Sequence, residues 1–203
     1  MDISLFFTIA FSVILASNFI LAKFLGLCPF LGVTQKTESA MGMGVAVTFV
    51  MFLASFVTSL LYNLLLVPTG LTILVTPMFI LVIAALVQLV ELFLRSRVPA
   101  LYQALGIYLP LITTNCAVMG VALLNTTAPP AAFETLSKSA RVVAASWQGI
   151  CAGLGFMLAM LLMSGVRERL ARADVPAPLR GMPLGFFCTG LMALAFLGFA
   201  GMV

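Results

Sequence analysis

No histidine occurs anywhere in the 203 residues. That removes the commonest general base at neutral pH, the commonest zinc ligand and axial haem ligation by imidazole. Charge is nearly as scarce. Asp, Glu, Lys and Arg make up 8% of the chain, against roughly 25% in soluble domains, so these residues cannot clothe a water-facing surface. The net charge of +4 is spread thinly along the sequence and builds no nucleic-acid patch. The four cysteines, Cys28, Cys116, Cys151 and Cys188, lie far apart without Cys-x-x-Cys spacing, so no local pattern gives a zinc site or a disulfide scaffold.

What remains is oil. Hydrophobic residues make up 63% of the chain, and six stretches carry about 20 or more largely apolar residues, enough for a hydrocarbon core of about 30 Å. They cover 3–22, 39–61, 72–94, 101–124, 142–165 and 182–202. The start of the chain does not read as a cleaved leader, because Asp2 has the wrong sign and the apolar run is long, so the first stretch is expected to stay as a span. Lys36, Arg95, Arg97, Arg167, Arg169, Arg172 and Arg180 fall in loops on one side, and only Lys138 and Arg141 on the other. The positive-inside rule makes the first side cytoplasmic and puts both termini outside, in the periplasm of a Gram-negative host.

Two apolar stretches are too long. Between Ile3 and Gln35 the one charge is Lys23, and between Val98 and Phe133 there is none. A straight helix over either would run about 50 Å at 1.5 Å per residue. Each must break, tilt strongly or re-enter, and residues that favour a break are present: Gly26, Cys28, Pro29 and Gly32 in the first, and Gly106, Pro110, Thr113, Thr114, Asn115, Cys116 and Gly120 in the second. Thr113, Thr114 and Asn115 are expected to brace the second break.

The two breaks also copy each other. Cys28-Pro-Phe-Leu-Gly-Val33 and Cys116-Ala-Val-Met-Gly-Val121 both read Cys-x-x-x-Gly-Val. Each opens a set of three spans, and three is odd, so the second set is inverted. The expected fold is an all-α integral membrane protein with six transmembrane helices as two inverted repeats, 1–97 and 98–203, the first helix of each being broken. Small residues in Met41-Gly-Met-Gly44, Gly149–Gly153 and Gly181–Gly185 are expected to let helices approach closely.

This plan brings Cys28 and Cys116 near a pseudo-two-fold axis. Backbone N–H groups freed at a break favour negative charge, which suits thiolates. Paired thiolates suit a soft metal or an iron–sulfur cluster. A [2Fe–2S] cluster normally takes four cysteines, so a second chain would have to supply two. A disulfide, or cysteine buried as a small hydrophobe, are the alternatives. For Cys151, inside a small-residue face, and Cys188, in mid-span, burial is the expected role. Lys23 reads either as a side chain snorkelling to the interface or as a charge near the Cys28 site.

The stretches LAKFLGLCPFLGV (21–33), LYQALGIYLPLITTNCAVMGVALLN (101–125) and RERLARADVPAPLRG (167–181) resemble the family of A subunits of the Rnf electron transport complex, itself similar to the E subunit of the sodium-translocating NADH:quinone oxidoreductase. The resemblance spans essentially the whole chain and is least close around Pro129-Pro130. It implies a homologous, oppositely inserted membrane partner, the E subunit of the Rnf complex. It implies that Cys28 and Cys116 give half the ligands of a [2Fe–2S] cluster shared with that partner, with Asn115, Thr114, Pro29 and Gly26 in support. It also implies flavin and iron–sulfur partner subunits, an inner-membrane location and electron transfer coupled to sodium or proton movement, with no catalysis by this chain alone. The rival expectation is a small inverted-repeat transporter binding a substrate at the helix breaks.

Overall fold

The computed structural model describes residues 3–66, 72–97, 111–112, 114–127, 138–173, 176 and 181–199, and every element among them is helical. In chain order they are α1 (Ile3–Phe11), ending in a π-turn (Ser12–Ala16), α2 (Leu27–Val33), α3 (Thr37–Leu61), ending in a second π-turn (Tyr62–Leu66), a 3-10 turn (Thr72–Leu74) leading into α4 (Val75–Arg97), α5 (Cys116–Thr127), α6 (Lys138–Leu170) and α7 (Met182–Leu197).

Six apolar helical segments fall in the six expected regions. Three are long and apolar enough to cross a bilayer: Thr37–Leu66, Val75–Leu92 and Ser139–Leu170. Three are shorter: Phe6–Ala16, Cys116–Thr126 and Met182–Leu197. The opening part of the fourth expected span, with Gly106, Pro110 and Thr113, lies outside the described residues, as do Pro129-Pro130 and Arg180.

The centre of the fold is an α3–α6 pair. In lipid, hydrophobicity does not drive helices together, because the tails are as apolar as the side chains, so close backbone packing carries much of the association. Glycines make that approach here. A Cβ on Gly153 would stand 2.6 Å from Thr48 Cα, one on Gly149 2.9 Å from Met51 O, and one on Gly44 2.5 Å from Met157 Cγ. Position 149 meets 51, 153 meets 48 and 157 meets 44, so the two helices run antiparallel. Gly42, by contrast, has nothing within 4 Å. Hydroxyls on these helices bond back to carbonyls of their own turn, as from Thr48 to Gly44 O (2.7 Å), Thr58 to Ala54 O (2.6 Å) and Ser146 to Val142 O (2.8 Å). These hydroxyls are thus satisfied within their own helices.

The remaining helices cross over this pair. α3 also packs against α5, while α6 packs against α1 and its π-turn. Trp147 of α6 donates from Nε1 to Phe6 O of α1 (3.2 Å) and meets the Phe6 ring edge-to-face, with centroids 5.7 Å apart.

The first apolar stretch does break, but earlier than its Pro and Gly residues suggest. α1 widens into the π-turn, where Ser17 N donates to Ser12 O (2.7 Å), and no regular helix resumes until Leu27. Phe24 (φ 54°) and Gly26 (φ 82°) occupy left-handed backbone, a conformation rare for a bulky residue and natural for glycine. Pro29 therefore does not break the helix. It sits in the first turn of α2, where its missing N–H leaves no intrahelical bond unmade.

Candidate functional site: two cysteine-bearing half-helices in contact

Asn18 holds the first break. It is 1% exposed. Its Oδ1 accepts from Ile20 N (3.0 Å), and its Nδ2 donates to Ile14 O (3.1 Å) and to Gly155 O of α6 (2.8 Å). One amide thus satisfies backbone groups at the break and ties them to a carbonyl of α6. Nothing about breaker residues marks Asn18. The available signal is a Ser-Asn pair, Ser17-Asn18, inside an otherwise apolar run.

Asn115 holds the second. Its Oδ1 accepts from Ala117 N (3.0 Å), and its backbone O accepts from Val118 N (3.2 Å). This is an N-cap for α5, which begins at Cys116. The expected bracing role of Asn115 is therefore seen. Thr114 is exposed, and its carbonyl lies 3.9 Å from Cys116 Sγ, as acceptor to the thiol. Thr113 lies outside the described residues.

The two breaks touch. A Cβ added to Gly26 would come within 2.8 Å of the Phe156 ring, 2.9 Å of Asn115 Oδ1 and 3.2 Å of Ala117 Cβ. Gly120 abuts Leu25 in the same way, with Leu25 Cδ1 at 2.7 Å from its would-be Cβ. Gly26 is thus required twice, for its left-handed φ and for this contact. The contact sets the first turn of α2, with Cys28, beside the first turn of α5, with Cys116. Both cysteines are free thiols and exposed, whereas Cys151 (1%) and Cys188 (8%) are buried in the core.

Cys116 faces a hollow of about 750 Å³ between α4 and α5. Lys23, Asn115 and Cys116 give it a polar end, and Ile80, Ile83 and Leu123 give it apolar walls. Lys23 is exposed, with its Nζ 5.1 Å from the centre of the buried Phe19 ring, a cation–π placement.

These groups fit one half of a sulfur-ligated site. Among the described residues no three of His, Cys, Asp or Glu are grouped to hold a metal ion, so a complete ligand set does not come from them. Two outward thiols at touching helix starts suit sharing with a second chain. Asn115 Nδ2 is buried and has no partner among the described residues, which leaves an amide donor beside Cys116. An unpaired buried donor costs about 1–3 kcal/mol, and a sulfur acceptor next to Cys116 would relieve it.

At the opposite end of α2 the structure holds a feature that loop-charge reasoning misses. Arg167 of α6 donates from Nη1 to Leu31 O (2.7 Å) and to Thr34 Oγ1 (3.1 Å). The neighbouring Glu168 accepts from Thr37 N (3.2 Å) and Thr37 Oγ1 (2.5 Å) at the start of α3. Positive-inside bias accounts for a basic residue at position 167 but says nothing of what it grips.

Known proteins share this sequence. Residues 6–203 match the family described as Rnf-Nqr subunit, membrane protein. The chain is 53% identical over 194 residues, 96% of each chain, to the A subunit of the Na(+)-translocating ferredoxin:NAD(+) oxidoreductase complex of Acetobacterium woodii. It is 52% identical over 190 residues, 94% of this chain and 93% of the relative, to the A subunit of the ion-translocating oxidoreductase complex of Yersinia enterocolitica. Three helices long and apolar enough to cross a bilayer, two shorter helices that open on an exposed cysteine, and a match from residue 6 to the last residue agree: the chain belongs to the Rnf-Nqr family of membrane subunits.

Proposed function

We propose that this chain is the A subunit of an ion-translocating ferredoxin:NAD oxidoreductase complex and relays electrons across the bacterial inner membrane. Cys28 and Cys116 supply two ligands of a [2Fe–2S] cluster, and a homologous membrane protein, the E subunit of the complex, supplies two more. Flavin and iron–sulfur subunits on either face deliver and remove the electron. The observation that carries this reading is the contact of Gly26 with Asn115 and Ala117, which sets two exposed thiols at the starts of adjoining half-helices.

The bound cluster would supply one-electron transfer without proton chemistry, in keeping with a chain that has no histidine. This chain's own part is positional. Gly26 permits the close approach of the breaks, Asn18 and Asn115 satisfy freed backbone groups, and apolar side chains line the hollow that Cys116 faces. The antiparallel α3–α6 pair supports an inverted relation between the two halves, since these are the second helices of the expected repeats. With seven basic loop residues taken as cytoplasmic, both termini are periplasmic.

The test is electron paramagnetic resonance on the dithionite-reduced, purified complex. Loss of a [2Fe–2S] signal in both Cys28→Ala and Cys116→Ala, with the subunits still assembled, supports the relay. A signal that survives both changes refutes it and makes substrate transport at the hollow the reading to pursue.

A further inference from the structure

We propose that Arg167 is the positioning residue of the Cys28 arm: it fixes the tilt of α2 and so the direction in which Cys28 presents its sulfur. The proposal rests on the relay reading above. α2 is seven residues, a rod of about 10 Å at 1.5 Å per residue. So short a helix has little stability of its own, and its last carbonyls lack intrahelical partners. Cys28 is at one end of the rod and the grip of Arg167 is at the other. Nη1 reaches Leu31 O (2.7 Å) and Thr34 Oγ1 (3.1 Å), and Thr34 Oγ1 donates in turn to Phe30 O (2.6 Å).

Two further observations mark this as a built fitting. Gly185 of α7 makes room for the guanidinium, since a Cβ there would stand 2.8 Å from Arg167 Nη2 and 3.3 Å from Leu31 Cδ2. Glu168 holds the start of α3, so consecutive residues at one helix end grip both sides of the turn 34–36. α2 is therefore hinged to α6 at its far end and is not free to swing about Gly26. The cation also lies at the C-terminal end of α2, the sign its dipole favours. Lysine would keep the charge but lose the planar fork of donors.

The experiment uses the assembled complex with its partner subunits. Arg167→Ala, Arg167→Lys, Glu168→Gln and Cys28→Ala are compared for subunit content, iron per complex, resonance line shape and reduction midpoint. The expected result is an Arg167→Ala complex that retains iron but shows displaced g values and a displaced midpoint. Arg167→Lys falls between it and wild type, and Glu168→Gln matches wild type. A wild-type spectrum and midpoint in Arg167→Ala, while Cys28→Ala loses the signal, overturns the positioning role and leaves the relay standing. Full signal in Cys28→Ala overturns the relay itself. If Arg167→Ala does not assemble, Gly185→Ala replaces it, because the added methyl displaces the guanidinium without removing it. A displaced spectrum then supports the proposal and an unchanged one overturns it.

Discussion

Asn18 Nδ2 and Gly155 O meet at 2.8 Å across 137 residues of sequence, and that bond ties the break in the first helix to the middle of α6. Asn18→Leu keeps the volume and removes the amide. Ile20 N is then left without its Asn18 partner in a buried site, at about 1–3 kcal/mol, and the break loses its tie to Gly155 O, a carbonyl within the continuous helix α6. The thermal unfolding midpoint of the detergent-purified complex should fall by several degrees. Asn18→Gln should not restore it, because the longer side chain cannot reach both its own turn and α6.

Gly26 and Gly32 lie six residues apart with opposite expectations. At Gly26 a methyl group meets Phe156 at 2.8 Å and Asn115 at 2.9 Å, in left-handed backbone. Gly26→Ala should lose about 1–2 kcal/mol to the conformation and about 1–3 kcal/mol more to crowding. Gly32 has nothing within 4 Å and is helical, so Gly32→Ala should be neutral or stabilise by up to about 1 kcal/mol. Unfolding midpoints of the two variants, compared side by side, check this.

The α3–α6 seam makes a second pair. Gly153→Val sets its Cβ 2.6 Å from Thr48 Cα, a backbone atom that cannot step aside without parting the helices, whereas Gly165 has nothing within 4 Å. Gly153→Val should reduce the yield of folded protein in membranes and lower its unfolding midpoint. Gly165→Ala should leave both unchanged. Equal behaviour would show that the seam does not limit stability.

The buried cysteines separate packing from ligation. On the relay reading proposed above, Cys151→Ala and Cys188→Ala should each keep the full [2Fe–2S] resonance, with at most a modest stability loss from the lost sulfur contacts. Loss of signal in either, with the complex assembled, would mean that exposure is a poor guide to the ligands.

The sequence announces much of this. Apolar runs longer than a bilayer needs foretell two breaks, and the repeated Cys-x-x-x-Gly-Val names the half-helices that follow them. Gly44, Gly149 and Gly153 read as packing residues and are so. The exact site of the first break is hidden, because Pro29 is the conspicuous breaker and yet fits the first turn of α2, while Asn18 does the work from inside an apolar run. Arg167 is hidden for another reason. Its partner Leu31 O is a main-chain group 136 residues away, and a backbone carbonyl leaves no trace in a residue pattern. Which glycine meets which helix is equally silent, since small residues advertise closeness without naming the neighbour.

The antiparallel α3–α6 seam carries a consequence for biosynthesis. α3 leaves the ribosome before α4, α5 and the intervening loops are made, and its glycine-matched partner α6 comes only after them. Until then Gly44 has no Met157 to receive, Asn18 no Gly155 carbonyl, and Thr37 no Glu168. The contacts of α3 with α4 and α5 can form before then, and only the arrival of α6 completes the seam, the tie from Asn18 to Gly155 and the bond from Thr37 to Glu168.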